Sequence, residues 1–102
     1  MSDPTADRPG NLYADIPGAL PGEVFTTLAK SDAVEIERIL SRGHTAPAAG
    51  WFDQDRHEWV VLLQGAARIE FEDDAAVRSL FPGDWLLIPA HRKHRVVWTE
   101  PQ

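Results

Sequence analysis

Five side chains carry most of the chemistry open to this 102-residue chain, and they stand at the two ends of one stretch. Asp53, His57 and Glu58 lie just ahead of the apolar run Trp59 to Leu63, while His91 and His94 follow the run Trp85 to Ile88. Carboxylates and imidazoles move protons near neutral pH, and they are also ligands for divalent metals. The chain has no cysteine, which excludes thiolate catalysis, disulfides and thiolate zinc sites. Any metal must be held by His nitrogen and carboxylate oxygen. Ser2, Ser31, Ser41 and Ser79 sit in no nucleophile-elbow motif, no glycine loop resembles a phosphate cradle, and the lone Tyr13 lies far upstream. Catalysis would therefore run through these acids and imidazoles, or through a metal.

Strands must bring the two ends together. Trp59 to Leu63 has the length of a buried strand, and Gln64-Gly65 turns it. Ala67, Ile69 and Phe71 then alternate with Arg68, Glu70 and Glu72, the mark of an antiparallel strand with one wet face. Further short strands are predicted at Val77 to Phe81, Trp85 to Ile88 and His94 to Thr99, separated by Pro82-Gly83-Asp84 and by Pro89. Trp51 and Phe52 open another strand region after the loop Gly43 to Gly50, which holds His44. Ala33 to Leu40 can be read with period two or as helix, and its β-branched residues favour a strand. The pattern is that of an all-β barrel or sandwich.

Ahead of these strands, Pro21 suits the first position of a short N-terminal helix carrying Val24, Phe25 and Leu28 on one face. Residues 1–11 read as a flexible polar tail and 12–102 as a single domain. With 43% hydrophobic and 25% charged residues the composition is that of an ordinary globular protein. A formal charge of -6 argues against a nucleic-acid partner, since no basic stripe exists to release counterions from a phosphate backbone. No run approaches the roughly 20 apolar residues of a membrane span, and the first residues lack the core of a signal peptide, so a cytoplasmic location without membrane contact is expected. Arg92, Lys93 and Arg95 could draw an anionic small molecule towards a site beside them.

Over about Val34 to Thr99 the chain resembles the cupins. Glu58 precedes Gly65 by seven positions in HEWVVLLQG, the spacing of the first cupin motif, and Gly83, Pro89 and His94 in PGDWLLIPAHRKH keep the order of the second. The resemblance implies a cupin-type double-stranded β-helix, a jelly-roll barrel whose inward face holds a divalent metal through three histidines and a glutamate. Glu58 and His94 carry over residue for residue. Trp51 and Asp53 stand where the first motif has its histidines, His91 where the second has a glycine, and Trp98 where asparagine is common. An Asp53 oxygen can replace an imidazole, giving Asp53, Glu58 and His94 as metal ligands, and His57 joins them only if a bulge turns it to the face of Glu58. The implied cofactor is Fe, Mn, Zn or Ni, with two carboxylates favouring Mn or Fe.

His44, Trp51, His91 and Trp98 are then pocket or rim residues, and all four tryptophans belong to the core or the pocket wall. The resemblance implies small-molecule binding with metal-dependent oxygenase, isomerase or lyase chemistry. The alternative is a metal-free ligand-binding or sensor cupin. FDQDRHEWVVLLQG and LLIPAHRKHRV are similar to segments of small single-domain bacterial cupins, which run on into one more strand. An edge left open without it predicts a homodimer.

Overall fold

Seven strands and no helix make up the described residues, 9–101 of the computed structural model. They fall into two units, one ending at Leu40 and the other beginning at Ser41. Among the described residues no helix is long and apolar enough to cross a membrane.

In the first unit, β1 (Val24–Lys30) pairs antiparallel with β2 (Glu35–Leu40), from Val24 opposite Leu40 to Lys30 opposite Glu35. The expected N-terminal helix is thus corrected to a strand. Val24, Phe25 and Leu28 do have helical spacing, but Val24, Thr26 and Thr27 are β-branched and Phe25 is aromatic, and such side chains favour a pleated backbone with a partner strand. Ser31 closes the hairpin, its hydroxyl accepting hydrogen bonds from the N–H groups of Ala33 and Val34 at 3.2 and 3.1 Å. A register shift between Thr27 and Ala29 accommodates Leu28 as the extra residue of a bulge. Of the expected tail, residues 1–8 lie outside the described residues. Asn11 already forms a turn, its side chain accepting from Tyr13 N–H at 2.7 Å, and Arg38 donates to the carbonyls of Leu12 and Ala14.

The second unit contains two sheets. β3 (Glu58–Val61) pairs with β6 (Trp85–Ile88), while β4 (Ala67–Phe71) lies between β5 (Asp74–Leu80) and β7 (His94–Thr99) in a three-stranded sheet. All of these pairings are antiparallel. The expected Trp51 and Phe52 strand shrinks to a single bridge from Phe52 to His94, with a second bridge from Ala46 to Val96. The charged run Asp53 to Arg56 gives no apolar alternation with which to extend it.

Ile69, Phe71, Leu80 and Ile88 form the buried core, with Val60, Leu62, Leu86 and Val96 packed against it. Alternation along β3 decides what faces that core. Glu58 stands opposite Ile88 and Val60 opposite Leu86, so the carboxylate shares the inner face. Trp59 and Trp85 take the other face and are 59% and 61% exposed, which corrects the expectation that every tryptophan is core or wall. The unbroken WVVLL run resembles a strand buried on both faces, but only one of its faces meets the core.

Candidate functional site

His94 opens β7, where its position is over-determined. Its N–H donates to the Phe52 carbonyl at 3.2 Å and its carbonyl accepts from Phe52 N–H at 2.8 Å. On the neighbouring strand it is the register partner of Phe71. Its ring lies 5.5 Å from that of Phe52 and 6.2 Å from that of Phe71, between ring centroids. The residue is buried in this aromatic frame.

Its tautomer follows from its partners. His94 Nδ1 is 2.9 Å from the Arg92 carbonyl oxygen, which can only accept, so Nδ1 carries the hydrogen. Nε2 is left to face Glu58 Oε1 at 3.6 Å, with the two side chains 7% and 35% exposed. That separation is an ion-pair distance, longer than an ordinary hydrogen bond. A neutral imidazole would present a lone pair to a carboxylate there, whereas a protonated one presents a cation. The His94 pKa is accordingly raised: the facing Glu58 carboxylate is the largest cause, burial opposes it, and the Arg92 carbonyl adds to the rise. The pair can hold a proton at a fixed place, with Glu58 as its solvent-accessible member.

Asp53, His57 and His91 form a different structure. His91 Nδ1 lies 2.8 Å from Asp53 Oδ1, and His91 N–H donates to the Gln54 carbonyl at 2.7 Å. Ala90 N–H donates to His57 Nδ1 at 3.0 Å, which leaves the hydrogen of a neutral His57 on Nε2. These bonds latch the loop before β3 to the loop before β7. They therefore position both members of the Glu58 and His94 pair. His91 has the left-handed φ of 64° for which glycine is better suited, the residue usual at this place in the resembling motif. Its bonds to Asp53 and Gln54 hold it there.

Among the described residues no group of three His, Asp or Glu side chains is placed to hold one metal ion. Asp53 turns to His91, and His57 spends its Nδ1 lone pair on the backbone of Ala90. Glu58 and His94 remain as two donors, one fewer than the three protein ligands of a typical catalytic zinc centre. This arrangement does not fit a resident metal. The expected cations are engaged as well: Arg92 meets Asp73 at 3.1 Å, Lys93 meets Glu72 at 3.9 Å and Arg95 meets Glu70 at 2.8 Å.

Of the expected rim residues, Trp51 lies under Arg95, whose guanidinium carbon is 4.3 Å from the ring centre, and Trp98 lies under Arg68 at 4.8 Å. His44 accepts Arg42 N–H on Nδ1 at 3.0 Å and the Thr99 hydroxyl on its carbonyl at 2.7 Å, which makes it a loop brace. A cavity of about 240 Å³ in the second unit is lined by Thr45, Pro47, Ala48 and Arg95 to Val97. Another of about 450 Å³ in the first unit is lined by residues that include Thr26, Leu28 and Arg38. Neither touches Glu58 or His94.

Sequence reasoning missed the frame around His94. Phe52 and Phe71 were legible only as apolar residues, and the Arg92 carbonyl has no sequence signal because any residue supplies one. The N–H of Ala90 that fixes His57 is hidden for the same reason.

No family model and no curated protein matches the chain. Solved structures do. A cupin superfamily protein from Desulfitobacterium hafniense DCB-2 is 27% identical with a TM-score of 0.72, over 93% of this chain and 82% of that one. A Ralstonia eutropha JMP134 protein described as a "putative mannose-6-phosphate isomerase" is 46% identical with a TM-score of 0.86, over 92% of this chain and 87% of that one. Sequence likeness at that level along nearly the whole of both chains, together with the motif residues Glu58, Gly65, Gly83, Pro89 and His94, shows that this chain belongs to the cupin superfamily.

Proposed function

We propose that this cupin binds a small polar molecule through Glu58 and His94 and does so without a resident metal. The observation that carries the reading is the 3.6 Å approach of Glu58 Oε1 to His94 Nε2, with Nδ1 committed to the Arg92 carbonyl. A protonated His94 orients the Glu58 side chain, and Glu58 offers its carboxylate to a hydroxyl or ammonium group of the ligand. Because Arg92, Lys93 and Arg95 each have a carboxylate partner, an anionic ligand gains less from them than their clustering in sequence suggests.

The Ralstonia likeness favours a second reading, isomerisation of a sugar phosphate. Glu58 would then take the proton from the carbon beside the carbonyl and return it to the former carbonyl carbon while the hydroxyl proton passes to the former carbonyl oxygen, with His94 orienting the carboxylate. One experiment addresses both readings. Backbone amide NMR spectra of the wild type, Glu58→Gln and His94→Ala are recorded with a panel of sugars, sugar phosphates, amines and organic acids, and turnover is followed in the same tubes. Shifts in the wild type that vanish in both variants support binding, and product formation lost in both supports the isomerase. A wild-type spectrum unchanged by the whole panel, or shifts that persist in both variants, contradicts the proposal.

A further inference from the structure

The cavity of about 450 Å³ in the first unit is of the size that takes small molecules, roughly 300–1,000 Å³. Pro9 and Leu28 give its lining an apolar part, while Asn11, Asp15, Thr26 and Arg38 bring polar groups to it. Thr26 stands opposite Arg38 in the register of β1 and β2, so the two share one face of the hairpin. Asp15 and Arg38 carry opposite charges, yet among the described residues neither has an ion-pair partner. They line one cavity without meeting.

Arg38 is engaged on one side only. Its Nη1 donates to the carbonyls of Leu12 and Ala14, which fixes the guanidinium against the turn at Asn11. Nε is enclosed without an acceptor, and Nη2 makes no hydrogen bond among the described residues. An enclosed donor with no partner costs free energy that an acceptor recovers. Nε and Nη2 lie on the same edge of the guanidinium, and their parallel N–H groups match the two oxygens of one carboxylate. The side-chain oxygen of Asn11 accepts from Tyr13 N–H at 2.7 Å, which leaves its amide nitrogen as a further donor.

We infer that this cavity binds a free α-amino acid with an apolar side chain. The carboxylate takes the Nε and Nη2 edge of Arg38, the ammonium group pairs with Asp15, and the side chain lies against Leu28 and Pro9. Charge selects this ligand over simpler ones. An anion such as phosphate is opposed by Asp15 and by the net charge of -6, whereas a zwitterion carries no net charge. An amine would pair with Asp15 and leave the Arg38 edge unmet. Neither Glu58 nor His94 lines the cavity, so the inference goes beyond the proposed ligand site and can fail without it.

The test is backbone amide NMR titration of the full chain with L-leucine, with isocaproate, which is leucine without its ammonium group, with isoamylamine, which is leucine without its carboxylate, and with inorganic phosphate. It is run on the wild type, Asp15→Asn, Arg38→Gln and Glu58→Gln. Leucine is expected to shift the amides of residues 10–15 and 26–28 saturably, in the wild type and in Glu58→Gln alike. It should bind at least about tenfold more tightly than isocaproate or isoamylamine, and lose at least about tenfold in both Asp15→Asn and Arg38→Gln.

Arg38→Gln also removes the bonds to Leu12 and Ala14 and can unravel the turn. Asp15→Asn then decides, because it keeps those bonds and asparagine tolerates the left-handed φ of 56° at this position. A tenfold loss there with the other amide positions unchanged supports the inference, and an unchanged affinity overturns it. Absence of a saturable leucine shift, equal affinity for leucine and isocaproate, tighter binding of phosphate at the same amides, or loss of the shifts in Glu58→Gln each overturns it as well.

Discussion

Replacing Glu58 by glutamine removes the largest cause of the raised His94 pKa while keeping the shape of the side chain. At 3.6 Å, two unit charges in an effective dielectric of about 20 attract by roughly 4–5 kcal/mol, which is a ceiling. Glu58 is about one third exposed, and desolvation of His94 opposes the pair, so the net contribution reduces to about 1–2 kcal/mol. The sign follows from linkage. A histidine pKa raised on folding gives stability that is fully present below its unfolded value near 6.5 and is lost as pH rises through the folded value. Urea unfolding of the wild type and Glu58→Gln at pH 6 and pH 9 should therefore differ by about 1–2 kcal/mol at the lower pH and by less than about 0.5 kcal/mol at the higher. At high pH the introduced amide can donate to the neutral Nε2, which closes the gap further. A gap that stays the same at both values, or widens as pH rises, refutes the charge pairing of these residues.

Three further outcomes test the frame around the pair. His91→Gly should be more stable than His91→Ala by about 1 kcal/mol in thermal melts, because both lose the Asp53 contact and only alanine keeps the cost of a φ of 64°. Phe71→Ala empties the most buried large side chain of the core and should cost about 3–5 kcal/mol in chemical denaturation. Gly65→Ala adds a Cβ that meets the Glu100 carboxylate at 3.0 Å at a φ of 80°, and a loss of about 1–2 kcal/mol is expected by the same assay.

The alternating residues of β4 and the punctuated runs of β6 and β7 were legible because period-two burial and Gly or Pro turns leave direct marks on a sequence. The meeting of Glu58 with His94 was legible through motif spacing alone. β1 was not, since Val24, Phe25 and Leu28 satisfy a helical period as well as a strand, and the pairing with β2 that decides between them is a long-range event. The partners of Asp53 and His57 were hidden because both are set by the loop at Ala90 and His91, whose backbone groups carry no residue-specific signal. Trp59 and Trp85 misled for a related reason: hydrophobicity reports a preference for burial without saying what supplies the cover.

Glu58 and His94 are proposed to form a two-residue site that holds no resident metal. Elemental analysis of protein purified without chelators, for the wild type, Glu58→Ala and His94→Ala, tests it most directly. The same substoichiometric trace of metal is expected in all three. One ion per chain in the wild type, lost in both variants, would contradict it.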